Sequence, residues 1–282
     1  MTLGSLVFIL RERIDPAGAE IMRLLHVLTL FSFCSLTAYA FTNPIKATDG
    51  SDPFMVYSND YYYLTTTTWT NIQITRGTSM AALKTATPKV VWSDTTASRC
   101  CNMWAPEIHW IAGQSPWFIY YTAGVSGTFD GQHLHVLKGS STDIWESTRS
   151  YAGRIAIPNR DVWAIDVTVL SLSSGPYLVF SSWDGDEQCL WISKMNSATS
   201  VGDAVKISSP TNSWEQVGAN SKTTQSSSPS GNIYIVYHAS PTSSVTCDGN
   251  RRTMVQAVGW NSDGTPNLGE PRAPTDSVPE PA

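Results

Sequence analysis

Trp104-Ala105-Pro106-Glu107-Ile108-His109 lies between two further carboxylates at the heads of strand-like runs: Asp52 in Gly50-Ser51-Asp52-Pro53 and Asp166 in Ala164-Ile165-Asp166-Val167-Thr168. Glu107 follows Asp52 by 55 residues and precedes Asp166 by 59. Intervals this similar suggest one structural unit that repeats and brings each segment to a common centre. A further member is expected near residue 222, where the sequence has no acidic residue.

Around these segments the chain reads as short runs rich in β-branched and aromatic residues, broken by Gly, Pro, Ser, Asn and Asp. Examples are Tyr61–Thr68, Val90–Trp92, Trp117–Thr122, His133–Lys138, Tyr177–Ser182, Cys189–Lys194 and Ile233–Ala239. No long amphipathic helix stands out. The expected class is all-β, and a repeat of somewhat under 60 residues favours a β-propeller, because one four-stranded blade with its loops has roughly that length. Three blades can be drawn, from Asp52 to about Asp94, Trp104 to about Ile157, and Asp166 to about Pro210. Beyond them the Ser/Thr-rich stretch Ala219–Gly231 has no hydrophobic pattern, and one strand pair follows through Ile233–Ala239 and Met254–Trp260. The sequence therefore holds about four blades' worth of material.

With 41% hydrophobic, 11% aromatic and 15% charged residues, the 282-residue chain can bury a large core. A formal charge of −5 supplies no basic field for a phosphate backbone, which argues against a nucleic-acid partner and for a neutral one. Met22-Arg23, the uncharged stretch Leu24–Leu36 and Ala38-Tyr39-Ala40 have the layout of a secretory signal. That apolar run is too short for a membrane span, so no membrane partner is expected. The expected organisation is an extension over 1–21 ahead of a start at Met22, a signal peptide over 22–40, one domain over 41–270, and a flexible tail over 271–282. A secreted, extracellular monomer follows.

Removal of the signal leaves Cys100, Cys101, Cys189 and Cys247, an even set in an oxidising compartment. Adjacent cysteines in an extended chain point to opposite faces, so at most one of Cys100 and Cys101 is expected to face any given partner. Zinc is disfavoured because no Cys-x-x-Cys pair or spaced His partner occurs. No Asn-x-Ser/Thr acceptor is present.

In order and spacing, several segments resemble glycoside hydrolase family 43, fungal members acting on arabinose-containing polysaccharides. They are Asn43-Pro44-Ile45 with Gly50-Ser51-Asp52-Pro53, Tyr61-Tyr62-Tyr63-Leu64, Trp104–Ile108, Ile165-Asp166, Ser181-Ser182-Trp183-Asp184-Gly185, Ser213-Trp214-Glu215, Tyr237-His238-Ala239 and Cys247–Met254, then Trp260–Asn267. The resemblance implies a five-bladed β-propeller that hydrolyses α-L-arabinofuranosyl linkages of plant cell-wall polysaccharide with inversion, through three carboxyl groups. Asp52 resembles the general base that activates water, and Asp166 the residue that tunes and orients the acid. Inversion leaves room for a water, so acid and base stand about 6.5–9.5 Å apart. The family's acid follows the Trp-Glu of Ser213-Trp214-Glu215, yet here Gln216-Val217-Gly218 and Ala219-Asn220-Ser221 come next. Gly218-Ala219-Asn220-Ser221 is similar to a later Gly-His-Asn-Ser segment whose His approaches a central metal. A segment of roughly one blade is thus expected to be lost near 218–219, and the general acid with it. Glu215 is a weak candidate to replace that acid. No cofactor is expected to be required; a central calcium is implied by the resemblance alone, against which the missing His counts.

Each residue also has a plainer reading. Asp52 before Pro53 could be a turn residue. Asp166 interrupts an apolar run, where an unpaired carboxylate is costly, and this strengthens its functional reading. Glu107 is expected to line the site rather than react. Most of the 11 Trp should pack between blades. Trp104 and Trp183, next to site motifs, are the substrate-contact candidates, Asp184, Asp186 and Glu187 read as solvated loop charges, and His238 as a structural hydrogen-bonding residue. If the acid is absent, the alternative is a catalytically impaired carbohydrate-binding pseudoenzyme or an incomplete gene product.

Overall fold

The computed structural model describes residues 7–9, 40–172, 174–210, 234–241, 249–262 and 266–280. Strand β1 (Val7–Ile9) and β2 (Ala40–Thr42) precede β3 (Phe54–Ser58), β4 (Tyr61–Thr65), β5 (Ile72–Gly77), the short α1 (Met80–Leu83) and β6 (Lys89–Trp92). Then come β7 (Cys101–Ile111), β8 (Gln114–Gly124), β9 (His133–Gly139) and β10 (Arg149–Arg154), followed by β11 (Ala164–Leu172), β12 (Gly175–Asp184), β13 (Glu187–Ser197) and β14 (Ser200–Ser208). The chain ends in β15 (Tyr234–Ala239), β16 (Arg252–Ala257), β17 (Gly259–Trp260), β18 (Pro266–Asn267) and β19 (Ser277–Pro279). No helix among the described residues is long and apolar enough to cross a membrane.

β3–β6, β7–β10 and β11–β14 form three four-stranded antiparallel meanders, each with its strands in sequence order, and β1-β15-β16 form a three-stranded sheet. The three blades drawn from the sequence coincide with the three meanders. Side-chain alternation along each strand explains how the sheets stack. On β8, Ile119, Tyr121 and Ala123 face the first meander, where they meet Phe54, Tyr63, Ile72 and Ile74. The intervening Phe118 and Tyr120 face the third, among Val167, Leu178, Phe180 and Met195. β4 divides in the same way: Tyr63 packs on the second meander, while Tyr62 and Leu64 meet Tyr234, Val236 and Val255 of the last sheet. Sheets buried on both faces by consecutive neighbours are the stacking of a propeller.

One segment departs from the sequence reading. The tail expected to be flexible forms β19, which pairs with β2 so that Val278 lies opposite Phe41, both buried. Glu280 then accepts hydrogen bonds from the Met80 and Ala81 N–H groups, at 3.0 and 3.3 Å. Its Pro, Glu and Asp content suggested a solvated tail, but one buried valine and a capping carboxylate suffice to anchor it. Val7–Ile9, within the expected extension, pairs antiparallel with Tyr234–Val236. The signal-like residues 22–39 lie outside the described residues.

The cysteine reading also changes. Cys100 and Cys101 are bonded to each other. Alternation does not govern this pair, because a turn closed by the Arg99 N–H donating to Thr96 O runs directly into Cys100, and the strand begins only at Cys101. Cys189 is buried and unbridged, and Cys247 lies outside the described residues.

Candidate active site

The position of Asp52 depends on close contact between two distant stretches of backbone. Residues 45–50 run against 249–253, with Ile45 N–H donating to Thr253 O, Asp49 N–H to Gly249 O and Gly50 N–H to Arg251 O, each at 2.8 Å. A Cβ on Gly50 would stand 2.4 Å from Thr253 N, so only glycine fits this crossing. Two residues on, Asp52 takes a left-handed φ of 49°, which Asp tolerates better than most residues. Its carboxylate Oδ2 accepts a 2.6 Å hydrogen bond from Thr67 Oγ1, which in turn accepts one of 2.8 Å from the Ala105 N–H. Thr67 therefore ties the Asp52 carboxylate to the next inner strand.

Asp52 also donates its own N–H to His238 Nδ1 at 3.0 Å. That bond requires an unprotonated Nδ1, so the 3.5 Å approach of Nδ1 to Asp52 Oδ1 is not a hydrogen bond. Burial holds the His238 pKa below its ordinary value; Asp52 pulls the other way, and Arg251, whose Nη1 lies 3.3 Å from Nε2, adds to the burial effect. Neutral His238 fixes the backbone beneath Asp52.

Glu107 and Asp166 sit on the inner strands of the second and third meanders, β7 and β11, and both are aimed by bulges. The β7–β8 register shifts between Trp104 and Glu107, with Ala105 at φ 44°. The β11–β12 register shifts between Ile165 and Thr168, with Asp166 at φ 55°. A bulge of this kind redirects one side chain without ending the strand. Glu107 is buried and pairs with His109 Nε2 at 2.7 Å, and the His109 ring lies 4.8 Å from Phe54. Asp166 donates its N–H to Thr122 Oγ1 at 3.3 Å, and Thr122 is the register partner of Trp104.

Asp166 keeps some solvent contact but is closely enclosed by protein. Burial pushes its pKa up to about 8, helped by the Asp52 and Glu107 carboxylates and opposed by Arg251. The structure thus brings Asp52, Glu107 and Asp166 into one electrostatic cluster, as the sequence spacing suggested. It adds Thr67, Thr122, His238 and Arg251. Thr67 and Thr122 carried no signal in the sequence, since threonine is ordinary in strands. His238 was legible only as a structural residue; its partner lies 186 residues away.

Trp104 packs against Trp69 at 5.5 Å and Phe129 at 5.3 Å, and Trp183 against Trp163 at 5.5 Å. Asp184 pairs with Lys206 on the surface at 2.7 Å. Glu215, Gly218 and Ala219 lie outside the described residues. No group of three or more His, Cys, Asp or Glu side chains among the described residues is arranged to hold a metal.

The sequence profile of Glycosyl hydrolases family 43 matches residues 41–220, more than half of the chain. The chain belongs to glycosyl hydrolase family 43. Among curated proteins, this family 43 chain is 30% identical to alpha-L-arabinofuranosidase 43 of Humicola insolens, covering 78% of this chain and 47% of the relative. It is 25% identical to an extracellular exo-alpha-(1->5)-L-arabinofuranosidase of Streptomyces avermitilis, over 83% of this chain and 64% of the relative. The chain therefore spans less than two thirds of these relatives. The second alignment extends over 312 residues, more than this chain contains, so that relative carries residues between matched segments that are absent here. In fold the chain resembles the crystal structure of an alpha-L-arabinofuranosidase from Lactobacillus brevis, with a TM-score of 0.70, 22% identity, and coverage of 82% of this chain and 97% of that one. A thermostable family-43 glycoside hydrolase gives a TM-score of 0.61 at 15% identity, with coverage of 84% and 98%.

Proposed function

We propose that the protein is a secreted glycoside hydrolase that cleaves α-L-arabinofuranosyl linkages of plant polysaccharide with inversion, on a five-bladed propeller frame. The observation that carries this reading is the Asp52 carboxylate, held at Oδ2 by Thr67 and acting together with Glu107 on the enclosed Asp166. In this reading Asp52 takes the proton of the attacking water. Asp166 supplies the neighbouring carboxyl that orients the proton donor, and it raises that donor's pKa only once it has lost its own proton. Glu107 lines the site, fixed by His109. The relatives named extracellular and the signal-like residues 22–40 support secretion.

The second reading, a catalytically impaired sugar-binding relative or an incomplete gene product, has its own support. The profile match stops at residue 220, the Streptomyces avermitilis alignment runs longer than this chain, and Val205 and Ile207 on β14 are 62% and 48% exposed. An outer strand with two exposed aliphatic residues suits a sheet that has lost a neighbour.

Purified protein assayed on an aryl α-L-arabinofuranoside, with the first-formed anomer read by NMR, tests the first reading. Turnover with inversion that falls about 10²–10⁴-fold in Asp52→Asn is expected if Asp52 is the general base. Turnover that survives this substitution overturns the assignment. Sugar binding without turnover, together with a transcript that is continuous across codons 218–219, selects the second reading.

A further inference from the structure

The head of β7 carries a covalent bond that has no part in the carboxylate cluster. Cys100 and Cys101, adjacent in sequence, are bonded to each other, and both are half-buried, within reach of a small solute. The residue before them is anchored. Arg99 Nε donates to Asp94 Oδ2 at 2.7 Å, its guanidinium carbon lies 3.9 Å from the centre of the Tyr151 ring, and its N–H closes the turn on Thr96 O. The residue after them is anchored as well. Asn102, at a left-handed φ of 54°, donates from Nδ2 to Val125 O at 3.0 Å and to Thr128 O at 2.9 Å, and its own carbonyl accepts from Gln132 Nε2 at 3.0 Å.

From this pair a short run of backbone leads to Asp52. Met103 exchanges two backbone hydrogen bonds with Trp69, at 3.0 and 3.3 Å, and so ties the second meander to the first. Two residues further along β7 the Ala105 N–H donates to Thr67 Oγ1, and Thr67 holds Asp52 Oδ2. The path from Cys101 to the Asp52 carboxylate thus runs along one strand and through one threonine side chain. A bond that served to staple the whole fold would look different. The chain-entropy benefit of a disulfide grows with the length of the loop it closes, and here the sequence separation is 1, so there is no loop to close. Its effect is confined to the residues it joins and their neighbours, and a disulfide that solvent thiols can reach is of the labile kind.

We propose that the disulfide between Cys100 and Cys101 is a redox-sensitive clasp that positions Asp52 through Met103, Ala105 and Thr67. Closed, it fixes the head of β7 between the Arg99 and Asn102 anchors; opened, it loosens the bonds of Met103 to Trp69 and of Ala105 to Thr67. The reductant is a small dithiol. One of its thiolates attacks one sulfur of the pair and expels the other as a thiolate, and its second thiol then displaces the mixed disulfide. The protein takes up two electrons and two protons as a pair of thiols, and the dithiol leaves as a cyclic disulfide. Both cysteines are positioning residues. The effect on turnover rests on the glycosidase reading above, whereas the loosening of β7 does not.

Titration of the full chain with dithiothreitol, the thiols trapped by iodoacetamide and located by peptide mass, reads the opening of the pair. Hydrogen exchange reads the consequence: amides in 67–69 and 103–105 should exchange at least about 10-fold faster in the reduced protein, while those of β12 and β13 keep their rates. The Tm should fall by no more than about 4 °C, since no loop is released. On an aryl α-L-arabinofuranoside, kcat should fall about 10-fold with KM little changed, as for a misplaced reacting group, and should recover on reoxidation. The Cys100→Ser, Cys101→Ser double variant should match the reduced protein in exchange and kcat and ignore dithiothreitol. If that variant does not fold, reduction and reoxidation of the folded wild type still decide. A pair that resists excess dithiothreitol overturns the clasp, as do unchanged exchange in 67–69 and 103–105 once the pair is open, an unchanged kcat beside loosened exchange, and a dithiothreitol response that persists in the double variant. Exchange that loosens on reduction in a protein whose oxidised form has no turnover upholds the clasp on β7 and sinks the glycosidase reading alone.

Discussion

Replacing Asp166 with Asn should make the protein more stable at neutral pH. Burial and the Asp52 and Glu107 carboxylates raise the Asp166 pKa from 3.8 to about 8. An acid whose pKa is higher in the folded than in the unfolded state holds its proton more tightly when folded. Wild-type stability is therefore greatest below the unfolded pKa and declines as pH rises from about 4 toward the folded pKa, then levels off. At pH 7 the unfolded carboxyl has released its proton and the folded one has not. At about 1.4 kcal/mol per pKa unit, the penalty over this interval is at most about 4 kcal/mol. Asn carries no such penalty, and the two facing carboxylates are acceptors its amide can use. The expected gain is about 2–4 kcal/mol at pH 7, shrinking to nothing near pH 3. Urea unfolding of both proteins across pH 3–8 measures it. An Asp166→Asn protein equal to or less stable than wild type at pH 7, or a gap that persists at pH 3, refutes the electrostatic account.

Thr67→Val removes one hydrogen bond to a carboxylate and leaves the Ala105 N–H without its acceptor, so it should cost about 2–4 kcal/mol in unfolding free energy. Thr67→Ser should recover most of that loss in the same denaturation assay. Ending the chain at Glu270 removes β19, the Val278 contact and both Glu280 bonds to α1. Burial of Val278 alone makes a loss of at least about 1.5 kcal/mol the expected outcome, seen as a lower Tm. Non-reducing peptide mapping should recover Cys100 and Cys101 in one intramolecular bond, with Cys189 alkylated only after unfolding.

What could be read from the sequence was whatever repeats or alternates. The strand runs and the nearly equal spacing of Asp52, Glu107 and Asp166 located three meanders and their inner strands, because period and spacing follow directly from blade geometry. What could not be read was the long-range closure. Nothing near Asp52 in sequence indicates His238 beneath it, since that contact exists only once residues 45–50 lie along 249–253. The tail was misread for the same reason: its composition describes a solvated strand, and only the partner strand β2 shows that it is anchored. The cysteine pairing was open in the sequence, because alternation says nothing of a bond formed where a turn runs into a strand.

The three left-handed residues at the strand mouths explain how a cluster of carboxylates can stand on so regular a frame. A straight inner strand would send alternate side chains into the two blade interfaces, where a carboxylate could not be satisfied. Asp52, Ala105 and Asp166, at φ 49°, 44° and 55°, break that alternation where it must be broken, each at a cost of about 1–2 kcal/mol. The carboxylates then converge, and like charges so close are unfavourable unless one carries a proton. Enclosure selects Asp166 for that proton, which removes a like charge acting on Asp52, while Thr67 holds Asp52 Oδ2. In the glycosidase reading proposed above, the strain and burial that lower stability at neutral pH are what set a protonated Asp166 beside Asp52.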